Sequence, residues 1–456
     1  MTAEYDLVVI GGGPAGYPAA IRASQMGASV CLVEKEKLGG VCLNWGCIPT
    51  KTLHAAAHLI QQAGEGGKSG LKGSLNVDPE GLLSHKKEVI DNLVSGVEKL
   101  LKKRGVNVVR GRAEIVGAGE VYIEERGSIR GKKLIIATGS SEIALPGMEF
   151  DGQRVMSSKD ILDLNKLPES VLIIGGGVIG CEFASILNAF GCGITIVEML
   201  PSLISGEDNK ISRFLKAFLR RKGVVTHLGT RVESLRRGTK SVTAYLDNGT
   251  EIESESVLVS VGRSPNIDKI GLENLGVEVD KSGIKVNSRM ETSVNGVFAA
   301  GDVVGGMLLA HVATREGIVA AENALGLDTE IDYSLVPSTI YTLPEIAHVG
   351  LTEEEAADRN IEIKTGNFPF SANGKARGLR EKDGFVKWIA EKSSEKLRGI
   401  HIIGPQATEL ISVGIIALER GMKSGDFEPV FIPHPTLSES IAEAADDING
   451  RAINIY

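Results

Sequence analysis

Cys42 and Cys47 stand five residues apart in the run Gly39-Gly40-Val41-Cys42-Leu43-Asn44-Trp45-Gly46-Cys47-Ile48-Pro49-Thr50-Lys51. Two thiols this close in sequence can form a reversible disulfide, bind a metal, or sit reduced in a core. On a regular helix their Cα atoms would be too far apart for a disulfide, which spans ~4.4–6.8 Å. Gly46, just before the second cysteine, gives the chain freedom to distort that turn. A helix N-terminus near Cys42 would favour its thiolate. Structural zinc sites pair one cysteine cluster with another, and the sequence has no second cluster. The expectation is a redox-active pair and no metal.

Two glycine turns offer a second chemistry. Gly11, Gly13 and Gly16 follow the apolar run Leu7-Val8-Val9-Ile10, and Gly175, Gly177 and Gly180 follow Val171-Leu172-Ile173-Ile174. In this G-x-G-x-x-G pattern the backbone N–H groups approach a pyrophosphate and the helix that follows stabilises its charge. An acid lies 23 residues beyond the first glycine of each turn, Glu34 in one and Glu198 in the other. Both are placed to accept hydrogen bonds from ribose hydroxyls. A carboxylate at 198 repels a 2′-phosphate, and the following Met199-Leu200-Pro201-Ser202 supplies no arginine, so NAD is favoured over NADP.

His434 and Glu439 are the third candidate pair. A histidine with an ordinary pKa near ~6.5 suits proton transfer at neutral pH, and a carboxylate can orient it. Taken alone, a histidine in a proline-rich turn is more often an ordinary surface residue. His54 and His58 share a helix face at i,i+4 but lack a neighbouring acid or cysteine in the pattern, so they read as surface or core. Cys31, Cys181 and Cys192 read as buried, inert thiols.

The elements that must position these groups repeat. Each half has a short apolar strand, a glycine turn, a helical stretch rich in alanine or isoleucine, and a second strand ending in the acid: Ser29–Glu34 in the first, Ile194–Glu198 in the second. Lys133–Ser140 reads as a strand ending in a glycine turn at Thr138 and Gly139, and Val257–Arg263 is its counterpart around Gly262. Gly296–Asp302 is a further strand meeting a Gly-Asp turn. Beyond Val336-Pro337 the pattern changes to mixed strands and helices, including a strand at 384–389 and a helical run near 407–421. Gly64–Gly73 reads as a mobile loop. The fold class expected is α/β: two Rossmann-like dinucleotide-binding domains plus a C-terminal α+β domain. The boundaries expected are 1–142, 143–265, a central 266–336, and 337–456.

With 456 residues, several domains are expected. The net charge of −8 and the lack of a dense basic run argue against a nucleic-acid or anionic-membrane partner. Met1–Asp6 does not read as a secretory signal, and no apolar stretch approaches the ~20 residues of a membrane span. The expected location is the cytoplasm.

The run from Gly39 to Lys51 resembles the signature of the flavoprotein disulfide reductases, a pyridine nucleotide-linked family with two dinucleotide-binding domains. The resemblance covers essentially the whole chain. Val261–Asn266, Tyr341–Glu345 and His434–Glu439 are most similar to the branch that oxidises dihydrolipoyl groups. The resemblance implies FAD in the first repeat and NAD in the second. It implies that Asp302 binds the flavin ribityl chain, that Ala310 and His311 lie in the next flavin-contacting turn, and that Lys51 lies beside the flavin ring. Ala113, Thr138 and Gly139 would join that site, and Glu182 would lie near the nicotinamide with Gly262 in the cofactor-binding set. Cys42 would be the interchange thiol, attacked by dihydrolipoamide, and Cys47 the thiol nearest the flavin. His434 would be the base, reaching across to a partner subunit's disulfide, so a homodimer is implied. The expected partners are lipoyl domains of 2-oxo acid dehydrogenase complexes or of the glycine cleavage system. Trp45 and Pro433 depart from the family's usual residues.

Relatives acting on other substrates fit less well. A glutathione reductase would want arginines in place of the Glu198 environment. A mercuric reductase or large thioredoxin reductase would want further cysteines in Ala442–Tyr456, and a soluble transhydrogenase would lack Cys47. A non-catalytic flavoprotein scaffold would need neither the dithiol nor the His434–Glu439 pair.

Overall fold

A computed structural model describes residues 4–455. Met1–Ala3 and Tyr456, which belong to the two ends of the chain considered above, lie outside the described residues. The chain forms two compact units. The first comprises the residues up to Thr52, then Glu80–Ile143 and Gly262–Asp332. The second comprises Leu53–Pro79, Ala144–Val261 and the residues from Tyr333 onward.

In the first unit, β1 (Glu4–Ile10) runs into the glycine turn and α1 (Gly16–Gln25), and β2 (Val30–Glu34) follows. β1 pairs in parallel with β2 on one side and with Gly127–Ile136 on the other. Asn107–Arg110 extends the sheet beside β2, and Val297–Ala299 joins beyond Gly127–Ile136, both in parallel. A parallel sheet is covered on both faces, which is why Leu7–Ile10 and Val30–Glu34 are buried without alternation. Leu7 and Val9 pack on one face with Ala19, Ala20 and Ala23, while Val8 and Ile10 pack on the other with Ile115, Ile123 and Ile284.

After β2 come α2 (Gly40–Trp45) and α3 (Cys47–Glu65), separated only by Gly46. The helix Ala310–Ala324 lies against α1. A Cβ on Gly317 would fall 2.1 Å from the Ala15 carbonyl oxygen, so only glycine permits that approach.

The second unit repeats the plan. Ser170–Ile174 is flanked in parallel by Gly193–Glu198 and Ser256–Val259, and the helix Val178–Ala189 follows its glycine turn. The C-terminal part is a five-stranded antiparallel sheet in the order Ser338–Ile340, Glu345–Gly350, Leu397–Gly404, Phe385–Glu391, Ile363–Pro369. Ala407–Glu419 and Glu439–Asp447 pack on it. Trp388 is fully buried there, and its indole N–H donates to the Ile441 carbonyl at 2.9 Å. The α/β architecture with a C-terminal α+β domain is as expected from the sequence. The stretch Gly64–Gly73 differs in part: α3 continues to Glu65, and Gly66–Ser69 forms a 3-10 turn. Helical hydrogen bonding carries on past Gly64 because a single glycine only weakens a helix. Among the described residues no helix is long and apolar enough to cross a membrane.

Candidate active site

Cys42 lies in α2 and Cys47 opens α3. The break at Gly46 takes the two cysteines off a single regular helix. A Cβ there would press to 3.1 Å from the Val41 carbonyl oxygen. Both cysteines are part-buried free thiols, and their side chains are hydrogen-bonded to each other. That bond, then burial, then the charge of Cys47 push the Cys42 pKa well above the ordinary thiol value. The Lys51 ammonium pulls the other way without prevailing. The expected thiolate-favouring helix terminus is therefore overridden: α2 is six residues long, and a partner thiol in a dry site counts for more.

The segment carrying Cys42 is fastened to the first glycine turn. The Gly39 N–H donates to the Gly12 carbonyl at 2.8 Å, and a Cβ on Gly40 would fall 2.7 Å from the Gly13 Cα. Tyr17, in the first turn of α1, is close enough to feel the Cys42 charge. Asn44 is buried and its amide N–H groups donate to the Leu38 and Gly40 carbonyls, holding α2 in place.

The two glycine turns match in chemistry as well as spacing. A Cβ on Gly16 would lie 1.8 Å from the Gly11 carbonyl oxygen, and one on Gly180 would lie 2.0 Å from that of Gly175. Neither α1 nor Val178–Ala189 has a side-chain cap or an acid in its first turn, so their leading N–H groups suit an anionic pyrophosphate. Gly13 faces Gly40, and a Cβ on Gly177 would meet nothing, leaving space beside each turn. Glu34 and Glu198 do more than the sequence implied. Glu34 accepts the Gly12 N–H at 2.7 Å and Glu198 the Gly176 N–H at 2.6 Å. Their second oxygens accept from Glu36 and Leu200, each at 2.7 Å. Each carboxylate thus fixes its own turn and keeps lone pairs for a ribose.

The remaining first-unit residues fall into local groups. Asp302, after the strand Val297–Ala299, accepts the Ser140 hydroxyl at 2.5 Å, and Ser140 in turn accepts from Arg263 at 2.8 Å. Thr138 and Asn266 exchange hydrogen bonds at 2.8 and 2.9 Å, and the Asn266 N–H donates to the Gly139 carbonyl. Gly262 accepts from the Ile143 N–H. Ala113 is buried at the start of its strand, and Ala310 and His311 open the helix Ala310–Ala324. The Thr314 hydroxyl of that helix donates to the Pro14 carbonyl at 3.0 Å. Ser140 and Asn266 bond to these candidate residues, and Arg263 to Ser140; none was singled out from the sequence, although Arg263 and Asn266 stand in the Val261–Asn266 run. The uncapped helix terminus, the glycine cradle and the polar groups of Ser140, Asp302 and Thr138 fit a flavin dinucleotide.

In the second unit Glu182 is buried and accepts the Tyr341 N–H at 2.8 Å. His434 and Glu439 meet at 2.8 Å through Nδ1, and the other Glu439 oxygen accepts the Thr436 N–H at 2.8 Å. Burial opposes ionisation of Glu439, but these two bonds and the His434 charge together hold its pKa below the usual carboxyl value. With Nδ1 engaged, Nε2 is the outer end of the ring, and the His434 side chain is 77% exposed. Phe431, three residues earlier, is fully exposed.

The other cysteines are buried, and burial raises the pKa of Cys31 to about 12 and of Cys192 to about 11. The Cys181 thiol is also pushed up by burial and donates to the Gly176 carbonyl. His54 and His58 bond separately, to the Thr342 carbonyl and to Glu381. One cluster was invisible in the sequence: Glu207, His348 and His401 offer ligand atoms within 4.8 Å of one another.

Residues 5–317 match the family model for pyridine nucleotide-disulphide oxidoreductases, and residues 336–445 match that for the family's dimerisation domain. The chain is 40% identical to a dihydrolipoyl dehydrogenase of Bacillus subtilis, over 100% of both chains. It is 41% identical to one of Thermus scotoductus, covering 99% of each. The crystal structure of LpdA from Mycobacterium tuberculosis shares the fold with a TM-score of 0.90 at 26% identity, covering 97% of this chain and 99% of that one. The chain belongs to the pyridine nucleotide-disulphide oxidoreductase family.

Proposed function

We propose that this chain has the activity of a dihydrolipoyl dehydrogenase, oxidising dihydrolipoyl groups and reducing NAD+. One observation carries the reading: the paired thiols Cys42 and Cys47 sit on a segment hydrogen-bonded directly to the glycine turn that would hold a flavin dinucleotide. Full-length identity of about 40% to dihydrolipoyl dehydrogenases supports the same substrate.

The residues divide the work as follows. In the oxidised enzyme Cys42 and Cys47 form a disulfide. One dihydrolipoyl sulfur, deprotonated by His434 of the partner subunit, attacks Cys42 Sγ. A mixed disulfide forms and Cys47 leaves as a thiolate. The second lipoyl thiol then attacks the first lipoyl sulfur, closing the lipoyl disulfide and releasing Cys42, so two electrons and two protons leave the substrate. Glu439 keeps the Nδ1–H tautomer of His434 and stabilises its charged form. Gly11, Gly13, Gly16, Glu34, Ala113, Thr138, Gly139, Asp302, Ala310 and His311 would hold FAD, with Lys51 beside the ring. Gly175, Gly177, Gly180, Glu182, Glu198 and Gly262 would serve NAD. FAD, when bound, supplies a two-electron carrier between a thiolate pair and a nicotinamide.

A homodimer follows from the dimerisation domain, and the exposed His434 and Phe431 fit a face covered by a second copy. The partners would be lipoyl domains of 2-oxo acid dehydrogenase complexes or of the glycine cleavage system. The buried free thiols Cys31, Cys181 and Cys192 fit the reducing cytoplasm. Steady-state assays test the reading. NAD+ reduction by dihydrolipoamide is expected to exceed NADP+ reduction and glutathione turnover, and faster glutathione reduction with NADPH would overturn the substrate assignment.

A further inference from the structure

Away from the redox site, the second unit holds a cluster of three side chains drawn from three distant segments. Glu207 precedes the helix Asn209–Arg221, His348 lies on the strand Glu345–Gly350, and His401 lies on Leu397–Gly404. His348 and His401 face each other across the antiparallel register, their rings stacked with centroids 5.4 Å apart. Each of the three residues offers one ligand atom, and these atoms lie within 4.8 Å of one another. Glu207 Oε2 meets His348 Nδ1 at 2.6 Å, and its Oε1 accepts the Ser338 hydroxyl at 3.0 Å.

His401 is the informative member. It is completely buried. Its Nε2 lies 2.9 Å from the Leu351 carbonyl, which can only accept, so Nε2 carries the hydrogen. Nδ1 is then a bare lone pair, and it has no hydrogen-bond partner. A buried nitrogen normally finds a partner, so this lone pair points to something that would fill it. A backbone carbonyl fixing the far nitrogen of an imidazole is also the usual support for a metal-bound histidine. Burial, and then the neighbouring His348 charge, lower the His401 pKa to about 4, which keeps the ring neutral. The surrounding field favours a cation. Glu207, Glu355 and Asp208 act on His348, and the nearby buried ammonium of Lys387 is engaged by Asp208 at 2.6 Å and by Glu353.

We propose that Glu207, His348 and His401 form a binding site for a first-row divalent cation of the Zn2+ type. Two imidazoles and a carboxylate are a borderline donor set suited to such an ion, with water in a fourth position. The ion displaces the proton held between Glu207 and His348. It then joins the segment leading into Asn209–Arg221 to two adjacent strands of the C-terminal sheet.

The test uses the FAD-loaded Cys42→Ser/Cys47→Ser protein, so that the redox thiols take no metal, stripped with a chelator and dialysed against Zn2+. One tightly held Zn2+ per chain is expected. In the same background His401→Gln and His348→Gln should each weaken it by about tenfold or more. Zinc should raise the melting temperature of the parent but not of the variants. If His401→Gln fails to retain FAD, His348→Gln, with its part-exposed ring, decides the matter alone. No bound Zn2+, or unchanged affinity in the soluble variants, overturns the proposal.

Discussion

At the scale of single residues, the chemistry depends on a thiol that is a poor leaving group by itself. The Cys47 side chain and burial raise the Cys42 pKa, so its thiolate fraction grows only as pH climbs above the ordinary thiol range. Cys42 is therefore released most readily with a proton, and His434, fixed through Nδ1 by Glu439 and carrying the proton taken from the substrate, has the geometry to return it. His434→Gln is expected to lower turnover of dihydrolipoamide by about 10²–10⁴-fold, and Glu439→Gln by less. In the reduced enzyme, iodoacetamide should label Cys42 of His434→Gln only at higher pH than the parent, and coincident pH profiles would show that His434 exchanges no proton with Cys42. These pairs were legible because each is short in sequence: Cys42 and Cys47, like His434 and Glu439, lie five positions apart. Glu207, His348 and His401 were not, because only the pairing of distant strands brings them together. The buried Lys387–Asp208 ion pair was hidden for the same reason.

At the scale of elements, the two glycine turns are proposed to do the same work on two cofactors, and a single methyl group would distinguish them. Gly16→Ala places a Cβ against the Gly11 carbonyl and should yield protein that loses its flavin absorbance. Gly180→Ala does the same at Gly175 and should leave the flavin bound while raising the KM for NADH by about tenfold, the equivalent of ~1.4 kcal/mol of overpacking. Flavin loss in both variants would show that the turns are not independent, and retention in Gly16→Ala would remove the first turn from the flavin site. The strands and turns were readable because parallel, doubly covered strands leave continuous apolar runs and the glycines punctuate them. The acids were only half readable: spacing placed Glu34 and Glu198, but not their bonds to the turn N–H groups. Likewise the sequence implied distortion at Gly46, while the reversal of the Cys42 shift depended on how tightly the two thiols pack.

At the scale of the whole molecule, His434 stands exposed on the C-terminal domain, and the proposed mechanism has it act on the disulfide of a second copy. Mixed dimers test this. Cys42→Ser and His434→Gln chains are each expected to be inactive alone. If refolded together at equal concentration, half of the randomly paired dimers would carry one intact site, restoring about a quarter of parental activity. A base acting within its own chain would restore none.

The proposed mechanism requires a pair of electrons to pass between a nicotinamide and the sulfurs of Cys42 and Cys47. Anaerobic NADH added to the oxidised, FAD-loaded enzyme should expose two newly alkylatable thiols per chain, and peptide mapping should place both labels on Cys42 and Cys47. No gain in labelling, or label on Cys31, Cys181 or Cys192 instead, would contradict it.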